Sequence, residues 1–217
     1  MIIETLDNGI YLMDATQLEN NELYSQAYLS CSKYRRDKID RYKFDKDKRL
    51  SLAVGILMNQ GLKKYDLVEG DMAYENGKEG KPCLVGHPEI FFNASHSGQY
   101  AAVCFADTPI GVDLQEHCKF KPNIAKRFFA ESEYNAMMAL PEEKQEERFF
   151  RLWALKEAYI KFTGRGMQQE LDSFYFDFDT EDNLDQSFFT DCFFTEYVPR
   201  ARYRMAVCIG TEQKKLE

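Results

Sequence analysis

The sequence predicts an α+β fold made of two similar halves, each a small antiparallel sheet packed on a long helix. Three observations predict it. Two windows, Asp45 to Gly61 and Pro141 to Gly164, repeat apolar residues at helical spacing. Each is followed by runs of strand-forming residues bounded by turn signals. And Ala102-Val103-Cys104-Phe105 is echoed by Ala206-Val207-Cys208-Ile209, a hint of duplication.

In chain order, residues 2–13 read as a first strand interrupted or flanked by the turn Asp7-Asn8-Gly9, and Leu18 to Tyr42 is helical in tendency. Asp45 is placed to cap a helix carrying Leu50, Val54, Leu57 and Met58 on one face, with Gly61 as its end. Short strand signals follow at Met72 to Glu75, then the turn Asn76-Gly77 and Gly80-Lys81-Pro82. Ile90 to Ser95, Tyr100 to Phe105 and Ile110 to Leu114 read as an antiparallel meander, its first connection being His96-Ser97-Gly98-Gln99. The second half predicts short helices at Ile124 to Phe129 and Glu133 to Leu140, then the long helix. Pro141 suits its first position, glutamates suit its first turns, and Gly164 suits its end. Strands are predicted at Ser173 to Phe178, Ser187 to Tyr197 and Tyr203 to Ile209.

Composition bounds the function. A hydrophobic content of 44% in 217 residues supports a packed core and excludes a disordered chain. No apolar run approaches the roughly 20 residues of a membrane helix, and MIIETLDNGIYLMD is not a basic leader with an apolar segment, so a cytoplasmic protein is expected. The six cysteines are scattered without a CxxC pair and read as reduced thiols. Within the net charge of −8, Lys33 to Arg49 holds nine basic and four acidic residues, a local +5 that leaves −13 on the remainder. Such an island is either a solvated helix face or the contact for a localised anion; the acidic whole weighs against nucleic acid.

Five residues stand out chemically. On the long helix, at about 100° per residue, Lys156 falls inside the apolar arc of Phe149, Leu152, Trp153, Leu155, Tyr159, Ile160 and Phe162, while Glu157 and Lys161 sit four apart on its edge. They are either snorkelling surface charges or functional ones. His96 lies in a tight polar connection where, with neighbouring hydroxyls, it can hold a phosphate. Asp113 alternates away from Val112 and Leu114; it is either a strand-end cap or, with Glu157, half of a hard oxygen site suited to Mg²⁺.

The ordered set Gly80-Lys81-Pro82, Asn93-Ala94-Ser95-His96-Ser97-Gly98, Gly111-Val112-Asp113, Trp153-Ala154-Leu155-Lys156-Glu157-Ala158-Tyr159-Ile160-Lys161 and Gly164-Arg165-Gly166 resembles the 4′-phosphopantetheinyl transferase superfamily, in its large, pseudo-duplicated Sfp-type branch. The resemblance covers most of the chain. It implies two α/β halves related by pseudo-twofold symmetry: residues 1–110 on the nucleotide side of a coenzyme A site, and residues 111–217 carrying the metal, the catalytic helix and the carrier-protein docking surface. It implies Mg²⁺-dependent transfer of the phosphopantetheine arm of coenzyme A to a serine of an acyl or peptidyl carrier protein of peptide or polyketide synthesis, releasing 3′,5′-ADP.

By the same resemblance Asp113, Glu157 and, in third place, Gln115 hold the metal, with Mn²⁺ as a possible substitute. Gln115 departs from the family's usual second acid at that strand and offers only a neutral carbonyl oxygen. Ser95 and His96 meet the pyrophosphate, and Lys156 and Lys161 flank the reacting phosphoryl group. Arg35 and Lys38 meet the 3′-phosphate with Arg49 and Ser51 nearby, and Lys81 and Pro82 belong to the nucleotide side. Glu157, Lys161, Lys156 and His96 carry catalysis, the base being Glu157 or a metal-bound water. Lys119 to Phe129 and Met137-Met138 are candidate docking residues, with Phe128 and Phe129 read as core. A monomer is expected, without nucleic-acid or membrane partners. The competing readings are an inactive coenzyme A or carrier-protein binding module and an anion or nucleic-acid binder.

Overall fold

The computed structural model describes residues 1–77 and 80–211, and it is an α+β fold with two helix-backed antiparallel sheets. The first sheet has the order β1 (Glu4–Asp7), β2 (Ile10–Asp14), β6 (Tyr100–Ala106), β5 (Phe91–Ser97); the second has β10 (Cys192–Tyr197), β11 (Tyr203–Gly210), β7 (Ile110–Glu116). α3 (Asp45–Leu62) backs the first and α6 (Glu142–Thr163) the second. The halves share one topology: β2, α3, β5, β6 in the first correspond to β7, α6, β10, β11 in the second, with sheet orders β2-β6-β5 and β7-β11-β10. Short hairpins β3 (Tyr74–Asn76) with β4 (Pro82–Leu84), and β8 (Asp177–Phe178) with β9 (Leu184–Asp185), lie outside the sheets.

Period-2 alternation sorts the core into layers. Ile10, Leu12, Ala102, Cys104, Ile110, Val112, Leu114, Met205 and Val207 pack between the two sheets. Met13, Ala101, Val103 and Phe105 pack toward α3, and Ala206 and Cys208 toward α6. The alanine-valine-cysteine echo is therefore out of phase. It falls on corresponding strands, yet Ala102 faces the opposite sheet and Ala206 faces the helix.

Several boundaries differ from expectation, each for a local reason. The predicted helix over residues 18–42 breaks into α1 (Asn21–Ser30) and α2 (Lys33–Asp40), because the Ser32 hydroxyl caps α2 by accepting from Arg35 N at 3.2 Å while donating to the buried Glu69 at 2.8 Å. Asp45 is the first residue of α3 and not its cap, and Gly61 lies inside that helix, where a Cβ would come 2.0 Å from the Phe105 ring. The meander stops after β6: β7 crosses to the second sheet and pairs with β11. The predicted strand at Ser173 to Phe178 is confined to Asp177–Phe178, since Phe176 N donates to Glu133 Oε1 at 2.8 Å and not to a ladder. That predicted from Ser187 starts at Cys192. α4 (Pro122–Phe128) and α5 (Glu131–Met138) precede α6, which ends at Gly164 with φ +67°, a conformation glycine adopts without strain.

Candidate active site

The site forms where β7, α6 and the end of β5 meet. Gly111 makes the approach possible: a Cβ there would lie 2.1 Å from Ala158 O and 2.4 Å from Phe162 N, so only glycine lets β7 press on the backbone of α6. Two residues on, the same strand face presents Asp113, 3% exposed. Its Oδ1 accepts from Lys161 Nζ at 2.5 Å and from Ser95 Oγ at 2.9 Å, and its Oδ2 accepts from Gln115 Nε2 at 2.6 Å. Lys161 Nζ also donates to Val112 O at 3.1 Å and to Ser95 Oγ at 3.3 Å.

One helical turn before Lys161 stands Glu157. Burial, and then the charge of Asp113, push its carboxyl above the ordinary carboxylate range, with Lys161 opposing. Among the described residues it takes no hydrogen bond or ion pair, so it is a half-buried acid free to meet a cation in the adjoining space.

Two cavities meet at Lys161. One, of about 340 Å³, is walled by Arg35, Lys38, Ser51, Pro82, Ser95 and His96, with Asp113 and Lys161 at one end. It is an anion's environment: burial and Arg35 hold the Lys38 ammonium below its ordinary value, and burial, Lys38 and Lys161 do the same for the His96 imidazole. Arg35 Nε and Ser51 Oγ are buried there without a partner among the described residues, which leaves two donors for a ligand. The other cavity, of about 570 Å³, is walled by Arg127, Phe128, Ile160, Leu171, Asp172 and Glu157, again with Lys161.

Three predicted residues are used otherwise. Lys156 does not face either cavity. It is fully buried, pairs with Glu133 at 2.8 Å and donates to Leu171 O and Phe174 O, both at 2.7 Å. The five-residue step to Lys161 turns roughly 140° around the helix, which points Lys156 into the second core. Lys81 is likewise buried, and its ammonium is spent on Ile110 O and Lys161 O at 2.7 Å each; burial lowers its pKa to about 8. It straps the first half's hairpin to the start of β7 and to α6. Arg49 pairs with Glu19 at 3.4 Å and lines a separate depression with Lys46 and Gln99. Gln115 turns its amide nitrogen to Asp113, which leaves its carbonyl oxygen as the only atom that could serve a cation. Of the docking candidates, Phe129 and Met137 are core, while Phe128 and Arg127 line the larger cavity.

Sequence reasoning missed Glu133, and it took Asn93 only as part of a motif, with no role of its own. Glu133 carried a local signal, an acid three residues into α5, where its Oε2 accepts from Ala130 N at 2.9 Å, but nothing local foretold its pairing with Lys156.

Comparisons with known proteins identify the family. The family model for the 4′-phosphopantetheinyl transferase superfamily matches residues 109–208, and that for the 4′-phosphopantetheinyl transferase N-terminal region matches residues 19–108. The 4′-phosphopantetheinyl transferase Sfp of Bacillus subtilis (strain 168) is 32% identical over 205 residues, covering 92% of this chain and 90% of the relative. The 4′-phosphopantetheinyl transferase gsp of Aneurinibacillus migulanus is 31% identical over 147 residues, 67% of this chain and 61% of the relative. Among solved structures, Thermotoga maritima holo-[acyl-carrier-protein] synthase aligns with a TM-score of 0.40 at 22% identity, over 50% of this chain and 65% of that one. The chain belongs to the 4′-phosphopantetheinyl transferase superfamily, and within it to the Sfp type.

Proposed function

We propose that this enzyme transfers the 4′-phosphopantetheine arm of coenzyme A to a serine hydroxyl of an acyl or peptidyl carrier protein and releases 3′,5′-ADP. The observation that carries the reading is the cluster Asp113, Glu157 and Lys161 standing between a cation-lined cavity and a partly apolar one. The nucleotide and its phosphates suit the first, through Arg35, Lys38, Ser51 and His96. The arm and the incoming serine suit the second. The nucleotide side then falls in residues 1–110, and the acids and catalytic helix in residues 111–217.

The donor set fits a hard divalent cation. Asp113 and Glu157 are two carboxylates close enough for one to feel the other's charge, Glu157 has no partner among the described residues, and Gln115 has a carbonyl oxygen to offer. Among the described residues no group of three His, Cys, Asp or Glu side chains could hold a metal, so the shell needs the amide, phosphate or water oxygens. Mg²⁺ bound there by Asp113 and Glu157 would neutralise charge on the phosphates as the P–O bond breaks. Lys161, already aimed across Asp113 and Ser95, stabilises the negative oxygens of the moving phosphoryl group. Glu157, one helical turn from Lys161 and without a hydrogen-bond partner among the described residues, takes the serine proton. The serine oxygen then forms the new P–O bond and 3′,5′-ADP leaves with the old bond's electron pair.

Both halves of one chain complete the site, which supports action as a monomer; no helix among the described residues is long and apolar enough to cross a membrane, and a cytoplasmic role in peptide or polyketide synthesis is part of the reading. The basic island supports an anion site and not a nucleic-acid surface, because Arg35 is buried, Lys38 lines a cavity, and Lys33, Lys48 and Arg49 are paired with Asp37, Asp45 and Glu19. Intact-mass measurement of a carrier protein incubated with coenzyme A, Mg²⁺ and the enzyme tests it. Addition of the whole arm is expected; an unchanged carrier mass across several acyl and peptidyl carriers would refute it.

A further inference from the structure

The strand that carries Asp113 is an edge strand. In an antiparallel pair, alternate residues of an edge turn their N–H and C=O away from the neighbour, and on β7 these belong to Val112, Leu114 and Glu116. Among the described residues no strand meets them, because β7 ends the second sheet. Side chains of the first half meet the N–H groups. Val112 N donates to Asn93 Oδ1 at 2.9 Å, Leu114 N to Ser95 Oγ at 3.2 Å and Glu116 N to Ser97 Oγ at 2.9 Å. Each partner pair is 19 residues apart in sequence, so β5 and β7 run side by side in the same direction, joined by side-chain oxygens in place of a backbone ladder. Alternation supplies these oxygens: Asn93, Ser95 and Ser97 project from one face of β5 while His96 projects from the other into the cation-lined cavity.

Ser95 also touches Asp113 and Lys161, but among the described residues the Asn93 and Ser97 side chains bond neither Asp113, Glu157 nor Lys161; each has β7 as its hydrogen-bond partner. Unpaired amides on a buried edge are costly, yet any polar cover would remove that cost. What three acceptors at fixed alternate positions add is register. A slip of two residues would carry Asp113 roughly 6.6 Å along the strand and away from Ser95 and Lys161. We propose that Asn93 and Ser97 are positioning residues for the transfer reaction: they fix β7 against β5 and thereby set the spacing between the His96 wall of the site and the Asp113 acid. The inference rests on the reaction proposed above.

The test follows the intact chain through Ser97→Ala, Ser97→Thr and, as a second site, Asn93→Ala. Amide hydrogen exchange reports the ladder itself: Ser97→Ala should speed exchange at Glu116 about tenfold and Asn93→Ala at Val112, with Ser97→Thr restoring protection. Transfer kinetics should show kcat down roughly 10-fold to 100-fold, the scale of an ångström of misplacement, with KM for coenzyme A within about threefold, and Ser97→Thr should recover kcat. The NMR titration of His96, which senses Lys161 and Asp113 across the joint, should move in Ser97→Ala and return in Ser97→Thr. Lost protection with wild-type kcat and an unmoved His96 titration would leave the ladder a purely structural device and overturn the inference. An inactive wild-type chain would sink the proposed reaction alone, and the His96 titration would then decide the ladder's part.

Discussion

The two halves share a topology and differ where strand faces helix. In the first, the α3-facing positions of β2 carry Tyr11 and Met13, and apolar side chains fill the gap. In the second, the α6-facing positions of β7 carry Gly111 and Asp113: the glycine draws the helix in, and the acid meets Lys161 with Glu157 close enough to feel its charge. The buried acids differ in the same sense. Glu69 of the first half is satisfied by neutral donors, Ser32 N at 2.7 Å, Ser32 Oγ at 2.8 Å and Tyr74 OH at 3.1 Å, whereas Glu133 of the second faces an ammonium, Lys156. One scaffold has thus been used twice. The first half contributes cations around a cavity, and the second contributes Asp113, Glu157 and Lys161, to which the proposed chemistry is assigned.

The largest effect that could break this division is on turnover. Glu157→Gln should lower kcat by roughly 10²-fold to 10⁴-fold, the usual contribution of a general base, with coenzyme A still binding in calorimetry. Its effect on stability has the opposite sign. Because the folded-state pKa of Glu157 is raised, its ionised form is a burden on the fold: the favourable protonated state is present below the ordinary carboxylate value and is lost as pH rises through the raised one. At neutral pH Glu157→Gln should therefore raise Tm, by about 2–4 °C for each kcal/mol relieved, and the gain should vanish in acid.

Next in size is the buried pair. Lys156→Met or Glu133→Gln alone should cost about 3–5 kcal/mol in denaturant unfolding, because each strands a buried partner, and the double variant should recover much of it. A phosphate-binding Lys156 would instead show a kinetic defect without a stability defect. Smaller again is Gln115→Glu. A third carboxylate beside Asp113 should lower Tm without metal and enlarge the Tm rise on adding Mg²⁺; an unchanged Mg²⁺ response would remove Gln115 from the cation's surroundings. The smallest effect is protonic. His96, held below its ordinary pKa by burial, Lys38 and Lys161, should take up a fraction of a proton when a phosphate enters, visible as coenzyme A binding heats that depend on the buffer's ionisation enthalpy near pH 6.

Much of this was legible in the sequence because it rests on local pattern. The helix ends at Pro141 and Gly164 and the strand alternation that sets Asp113 apart from Val112 needed only a few neighbouring residues. Lys156 was misread because periodicity shows that a charge lies in an apolar arc but not what waits opposite it; Glu133 lies 23 residues away and Leu171 and Phe174 on a different segment. Lys81 was misread for the same reason, its partners being carbonyls of Ile110 and Lys161. The third strand of the expected meander looked like its neighbours, and only the packing of Ile110, Val112 and Leu114 against the first sheet explains why it joined the second.

The division of labour is tested most directly by steady-state transfer with Lys38→Ala and Glu157→Gln measured side by side over a range of coenzyme A concentrations. The account predicts that Lys38→Ala raises KM for coenzyme A about tenfold, the worth of one charge-assisted contact, and leaves kcat within about threefold, while Glu157→Gln removes kcat. Normal turnover by Glu157→Gln, or a Lys38→Ala defect confined to kcat, would contradict it.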